Sequence, residues 1–336
     1  MALSRSIVLP LDPSTYQRHA LHADDRAWIE KNCYIDIWIE VLHALGLDPM
    51  AMLPFTAAID FEDDQWTFFK PPHTELWDLY GVDVQELTVW QPLIDHAARQ
   101  ASAGKLISTE ADAFFLPDTK GTDYRTQHTK TTIVINDVDV GARRMGYFHN
   151  AAYHTLDGDD FAGLFRLGLP DDPTYMPFFA ELIRVDRVRR LPPADLRVRS
   201  SALLARHLGR RPAQNPITRF ARAFGDDIVR LQSEGLARYH AYAFATIRQL
   251  GSASELLSLY LRWLAGTGAA AGDSPLVRAA DAFNEISAGA KALILKGARA
   301  VNAKRAVDFG PLLSDAAAAW ERGMGTLTAL VGGQAT

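Results

Sequence analysis

The chain holds a single cysteine, Cys33, and the residues around it decide what chemistry its thiol could do. Ile35, Trp38, Ile39, Leu42 and Leu45 recur at helical spacing and stop at Gly46, which predicts an amphipathic helix with Asn32 as its N-cap. The thiol then lies in the first turn, where unpaired N–H groups and the positive end of the helix dipole favour the nucleophilic thiolate. A cysteine that merely packs is the alternative, because unpaired cysteine is among the most buried residue types. Two downstream residues favour catalysis. His128 opens the β-forming run 131–135, and Asn150 follows the returning strand at 144–148. With the turn centred near Asp139 and Val140, residue 128 falls opposite a residue near 151, which sets Asn150 beside His128. Cys33 would attack a carbonyl, His128 would hold and return the proton, and Asn150 would fix the imidazole tautomer. A one-residue slip would exchange Asn150 with His149. Asp112, on one face with Glu110 in the extended stretch 106–115, is the second candidate to orient His128.

Positioning these groups requires an α+β region. The pattern predicts short strands around the acidic turn 60–64, a helix at 75–80 stopped by Gly81, a strand at 82–89, a helix at 91–100, and the 131–148 hairpin with Asn136 to Gly141 as its turn. Trp66, Phe68, Trp77 and Trp90 are expected in its core. The character changes near residue 175. Ten arginines between 184 and 219 face only Asp186 and Asp195, with Pro192, Pro193, Pro212 and Pro216 among them. The domains expected are an α+β catalytic domain over 1–175, an Arg/Pro-rich crossing over 176–215 and a helical bundle over 216–336. Within the bundle, Ser252 to Glu255 reads as a capping box, 266–273 as a linker, and Ser274-Pro275 as a helix start.

The 336 residues are 48% hydrophobic and 22% charged, as in a folded globular protein. A net charge of -5 argues against nucleic acid or an anionic membrane as the main partner. One cysteine allows no internal disulfide, and no Cys/His cluster has zinc-site spacing. The first residues lack the apolar core of a signal peptide, and no stretch approaches 18 unbroken apolar residues, so a cytoplasmic protein is expected.

A cysteine at a helix start, then a histidine opening a strand, then an asparagine on the next strand, is the arrangement of papain-like folds. The runs Asn32-Cys33-Tyr34, Asp112-Ala113-Phe114-Phe115-Leu116-Pro117, Tyr124 and His128 before Ile133-Val134-Ile135, Tyr147-Phe148-His149-Asn150 and Leu156 to Phe161 resemble a bacterial family of unknown function. The resemblance is close over residues 17 to about 185 and loose over the helical part. More distantly the chain is similar to the butirosin-biosynthesis acyltransferase family, whose cysteine-protease-like domain precedes a helical one. Members of that family move an aminoacyl group from the phosphopantetheine thioester of a carrier protein onto an amine, so the resemblance implies acyl transfer; an amine or hydroxyl acceptor is expected here, with no cofactor bound by the chain itself, and the residue spacing offers no metal site. Arg184, Arg187, Arg189 and Arg190 could dock the acidic face of such a carrier, or form a solvated linker. Papain-like peptidases keep a glutamine six residues before the cysteine for the oxyanion hole. Ala27 stands there, so the donors would be the Cys33 N–H and the Asn32 side chain. A cysteine peptidase or amidase, and a non-catalytic carrier-binding module, are the alternatives.

Overall fold

The computed structural model describes residues 5–170, 176–267 and 274–332. The chain is mixed α+β with a helical C-terminal region, and its contacts divide it into two units. The first holds Met1–Asp24, Asn32–Pro49 and Pro72–Leu191; the second holds Asp25–Lys31, Met50–Pro71 and Pro192–Thr336. The change expected at residue 175 lies outside the described residues. The chain passes between units at Leu191 and Pro192 instead.

The first unit is built on one antiparallel sheet. Its strands are β1 (Ser6–Ile7), β4 (Asp83–Glu86), β5 (Lys105–Asp112), β6 (Lys130–Asp139), β7 (Arg144–His149), β8 (Ala152–Asp157) and β9 (Ala180–Arg184); the short pair β2 (Phe61–Glu62) and β3 (Gln65–Trp66) belongs to the second unit. The strand order is β4-β9-β5-β6-β7-β8, with β1 added to β6. The Arg-rich stretch is therefore no simple crossing, since β9 lies inside the sheet and Pro193–Leu208 is a helix. Five residues are too few to show a period, which is why the composition of the segment hid the strand.

Successive side chains on a strand face opposite sides. Ile107, Ala111, Ile133, Ile135, Tyr147 and Leu182 form one core with Ile94, Ala97 and Ala98 of α3 (Leu93–Ser102) and Phe161 and Leu164 of α4 (Gly158–Leu164). The other side is contacted by α1 (Cys33–Ala44). Asn32 caps α1 through Oδ1, which accepts from the Tyr34 and Ile35 N–H groups at 3.1 and 2.9 Å. The helix is enclosed all round, since Tyr34 through Leu42 are all buried and not only the apolar stripe. Two charged positions are thereby buried, Asp36 and Glu40, and His22, N-terminal to α1, satisfies both: Nε2 lies 3.0 Å from Asp36 Oδ1, and Nδ1 bonds Glu40.

The 131–148 hairpin forms with a different register. Ile135 pairs with Tyr147 and Asp139 with Arg144, which moves the turn to residues 140–143. Asn136 is a bulge and not a turn residue. Its amide closes the gap by accepting from Leu9 N–H at 2.7 Å and donating to the Leu9 carbonyl and Tyr153 hydroxyl, both at 2.9 Å. Gly81 ends α2 (His73–Tyr80) in the left-handed region at φ 71°. A Cβ there would lie 2.2 Å from the Arg187 carbonyl oxygen. Gly81→Ala should therefore destabilise the first unit by about 1–3 kcal/mol, and an unchanged melting temperature would refute this.

The second unit carries α5 (Pro193–Leu208), α6 (Pro216–Glu234), α7 (Leu236–Ala245), α8 (Ile247–Ala265), α9 (Pro275–Ala303) and α10 (Gly310–Gly332). Asn215 and Ser274 cap α6 and α9, each followed by proline at the first helical position. The expected capping box lies in the middle of α8, where Ser252 bonds the Arg248 carbonyl at 2.7 Å and Glu255 accepts from Ala27 N–H at 2.8 Å. Most of the 266–273 linker lies outside the described residues. Trp66 is buried in this unit, whereas Trp77 and Trp90 are exposed in the first, Trp90 at 78%. No described helix is long and apolar enough to cross a membrane.

Candidate functional site

Register builds the site on the α1 face of the sheet. Glu110 pairs with Thr132, Asp112 with Lys130 and Ser108 with both Val134 and Glu181. Directly paired residues share a face, so Ser108, Glu110, Asp112, Lys130, Thr132 and Glu181 point to one side. The alternation of Glu110 and Asp112 was legible in the sequence. The face they occupy was not.

Cys33 is the first residue of α1, partly buried, with Sγ 3.8 Å from Thr132 Oγ1. The next residue, Tyr34, donates its hydroxyl to Glu181 Oε2 at 2.8 Å and lies 2.7 Å from His73 Nε2 at the start of α2. Glu181 accepts the hydroxyl proton, so the Tyr34 oxygen is left to accept from the imidazole. Burial and the adjacent Glu181 push the Tyr34 hydroxyl well above the usual phenol range. Tyr34, His73, Glu181, Thr132 and Lys130 were not singled out from the sequence. Glu181 comes from β9, the strand that sequence reasoning missed, whereas Thr132 and Lys130 are placed by the pairing of β6 with β5.

His128 lies just before β6 and its side chain is 69% exposed. Nδ1 is 2.6 Å from Asp112 Oδ2, and the ring stacks on Phe114 with centroids 4.4 Å apart. A carboxylate can only accept, so Nδ1 carries the proton and the Nε2 of the neutral ring is an acceptor. Asp112, and not Asn150, is thus the group bonded to His128. Asn150 occupies the left-handed region at φ 46° in the turn between β7 and β8, because moving the hairpin turn shifted every pair beyond it. Asn32 spends its carbonyl oxygen on the helix cap. Of the arginines read as a docking surface, three make bonds within the unit and Arg187 is exposed. Arg184 pairs with Asp83 at 2.6 Å, Arg189 bonds the Trp77 carbonyl, Arg190 bonds that of Leu45 at 2.8 Å, and the Arg187 carbonyl lies against Gly81.

The opposite face holds a second arrangement. Thr131 Oγ1 is 2.8 Å from His149 Nε2, and His149 Nδ1 is 2.5 Å from Asp118 Oδ2. Tyr147 donates to Asp118 Oδ1. Burial raises the Asp118 carboxyl, but the hydrogen bond and charge of His149, the charge of His154 and the Tyr147 bond outweigh it, so the group is held below its ordinary value. The order hydroxyl, imidazole, carboxylate matches a nucleophilic triad, yet Thr131 and His149 are only 6% and 1% exposed, so the hydroxyl is enclosed. Among the described residues no group of three or more His, Cys, Asp or Glu could hold a metal ion.

The DUF1839 N-terminal domain matches residues 17–185, and the DUF1839 C-terminal domain matches residues 194–329. The chain belongs to the DUF1839 family. Nothing in these matches links it to the butirosin-biosynthesis acyltransferases. Among curated proteins there is no significant match.

Proposed function

We propose that the first unit is a papain-like catalytic domain that carries out cysteine-dependent acyl or aminoacyl transfer. The observation that carries this reading is the placement of Cys33, at a helix N-terminus and against Thr132, on the same sheet face as the Asp112–His128 pair. Cys33 gives its proton to His128 Nε2, the resulting thiolate attacks the carbonyl of a phosphopantetheine thioester on a carrier protein, and the pantetheine thiol leaves with that proton. An amine or hydroxyl then attacks the Cys33 thioester, gives its proton to His128 and frees the cysteine. Asp112 keeps the imidazole in the Nδ1–H tautomer. Ala27 at the glutamine position favours a thioester over a peptide, because a thioester is already activated.

The test is direct. The full chain is incubated with a synthetic aminoacyl-pantetheine thioester, and intact mass with peptide mapping locates any adduct. An acyl group on Cys33 in the wild type and none in Cys33→Ala is the expected result. Absence of an adduct, or equal labelling of Cys33→Ala, would overturn the proposal.

A further inference from the structure

The Thr131–His149–Asp118 chain takes no part in the steps above. Asp118 Oδ2 accepts from His149 Nδ1–H, and His149 Nε2 lies 2.8 Å from the Thr131 hydroxyl, which can donate or accept. The chain ties three pieces of structure together. Thr131 belongs to β6 and His149 to β7, while Asp118 lies in the segment 113–129 that leaves β5 after Asp112 and ends beside His128. That segment supplies Phe114, on which His128 stacks, and it returns through Tyr124, whose hydroxyl donates to Asp160 at 2.9 Å. Asp118, its side chain 8% exposed, is the charged anchor of the segment against the sheet, bonded by both Tyr147 and His149.

We infer that Asp118 and His149 are positioning residues for His128, fixing the 113–129 segment so that the imidazole stays on Asp112 at the edge of the Cys33 face. The inference rests on the reading of His128 as the acid–base group. The hydrogen bonds matter as much as the packing. A residue at 149 must donate to Asp118 and bond the Thr131 hydroxyl at once, which an imidazole does and an apolar side chain cannot. Glutamine also offers one N–H and one carbonyl oxygen in that space.

The experiment compares wild type, His149→Leu and His149→Gln, each with and without His128→Ala, in transfer of the aminoacyl group from the pantetheine thioester to an amine. His149→Leu should lower the rate by about 10- to 100-fold, the scale of a misplaced catalytic group, and His149→Gln should restore most of it. In the His149→Leu background, His128→Ala should cost little more, since the imidazole is already displaced. An equal fold loss from His128→Ala in both backgrounds would overturn the inference, because a merely structural defect adds independently. Trypsin cleavage at the exposed Lys120 and Arg125 separates this inference from the transfer reading. Faster cleavage in His149→Leu, reversed in His149→Gln, supports the anchor even if His128→Ala leaves the wild-type rate unchanged; unchanged cleavage overturns it. Should His149→Leu fail to fold, Asp118→Asn provides the second variant. It removes the charge of the anchor while keeping its size, and it should speed trypsin cleavage and shrink the cost of His128→Ala in the same way; unchanged cleavage would overturn the inference.

Discussion

Cys33→Ser is expected to abolish transfer to the amine acceptor, with a rate loss of at least about a thousandfold, since loss of the nucleophile in comparable enzymes costs on the order of a millionfold. The alcohol is far less ionised than the thiol at neutral pH, and the first turn of α1 cannot make up that difference. His128→Ala should cost about 100- to 10,000-fold, the range of a general acid–base group. Asp112→Asn should approach the same loss while leaving the imidazole in place. The asparagine NH₂ would donate to Nδ1, move the proton to Nε2 and present the wrong tautomer to the reaction. Asn150→Ala should leave transfer within a few-fold of wild type, since Asn150 sits in the β7–β8 turn and Asp112 holds His128. Single-turnover rates on the thioester measure all four. Wild-type rates in Cys33→Ser or His128→Ala would end the catalytic reading, and a large loss in Asn150→Ala would restore asparagine as the orienting residue.

Glu40→Gln should destabilise the first unit by about 3–5 kcal/mol, the usual cost of removing one partner from a buried ion pair. Three donors converge on the Glu40 carboxylate: the Tyr16 hydroxyl at 2.6 Å, the His19 N–H at 3.0 Å and His22 Nδ1. An amide NH₂ in place of one oxygen would face donors with its own hydrogens. The pH dependence gives a second signature. Burial alone would lower the His22 pKa, but hydrogen bonds to Asp36 and Glu40 and their charges raise it above its ordinary value. The raised pKa contributes stability that is fully present below the unfolded histidine value of about 6.5 and is lost as pH rises through the folded value. His19 acts in the opposite sense. Burial, then the charge of His43, lowers it to about 4, so stability falls as pH drops from about 6.5 toward that value. The gap in melting temperature between wild type and Glu40→Gln should therefore be widest near pH 6 and narrow as His22 deprotonates. A gap that is flat with pH, or worth less than about 1 kcal/mol, would show that the cluster is not an ion pair.

Local signals were read where one residue or one short period decides the outcome. Asn32 as N-cap, Gly81 as a left-handed stop and Ser274-Pro275 as a helix start all stand as expected, because capping and turn chemistry depend on a few adjacent residues. Ser252 to Glu255 shows the limit of such signals, since the same four residues lie inside α8 once tertiary packing outweighs the cap. Asn136 shows it again. A buried asparagine looks like a turn until the N-terminal segment arrives to satisfy its amide.

The sequence by itself determined that Cys33 opens a helix, that Glu110 and Asp112 share one face of a strand, and that a hairpin runs from 131 to 148, because each follows from spacing within a dozen or so residues. Only the tertiary structure decided which groups meet. Asp112 and not Asn150 holds His128, since moving a hairpin turn by about two residues re-pairs every residue beyond it. Glu181 joins Tyr34 across 147 positions, and Asp118 joins His149 across 31, through strand pairings that no local period encodes. Such contacts are chosen by which apolar faces can be buried together, a property of the whole chain and not of any window along it.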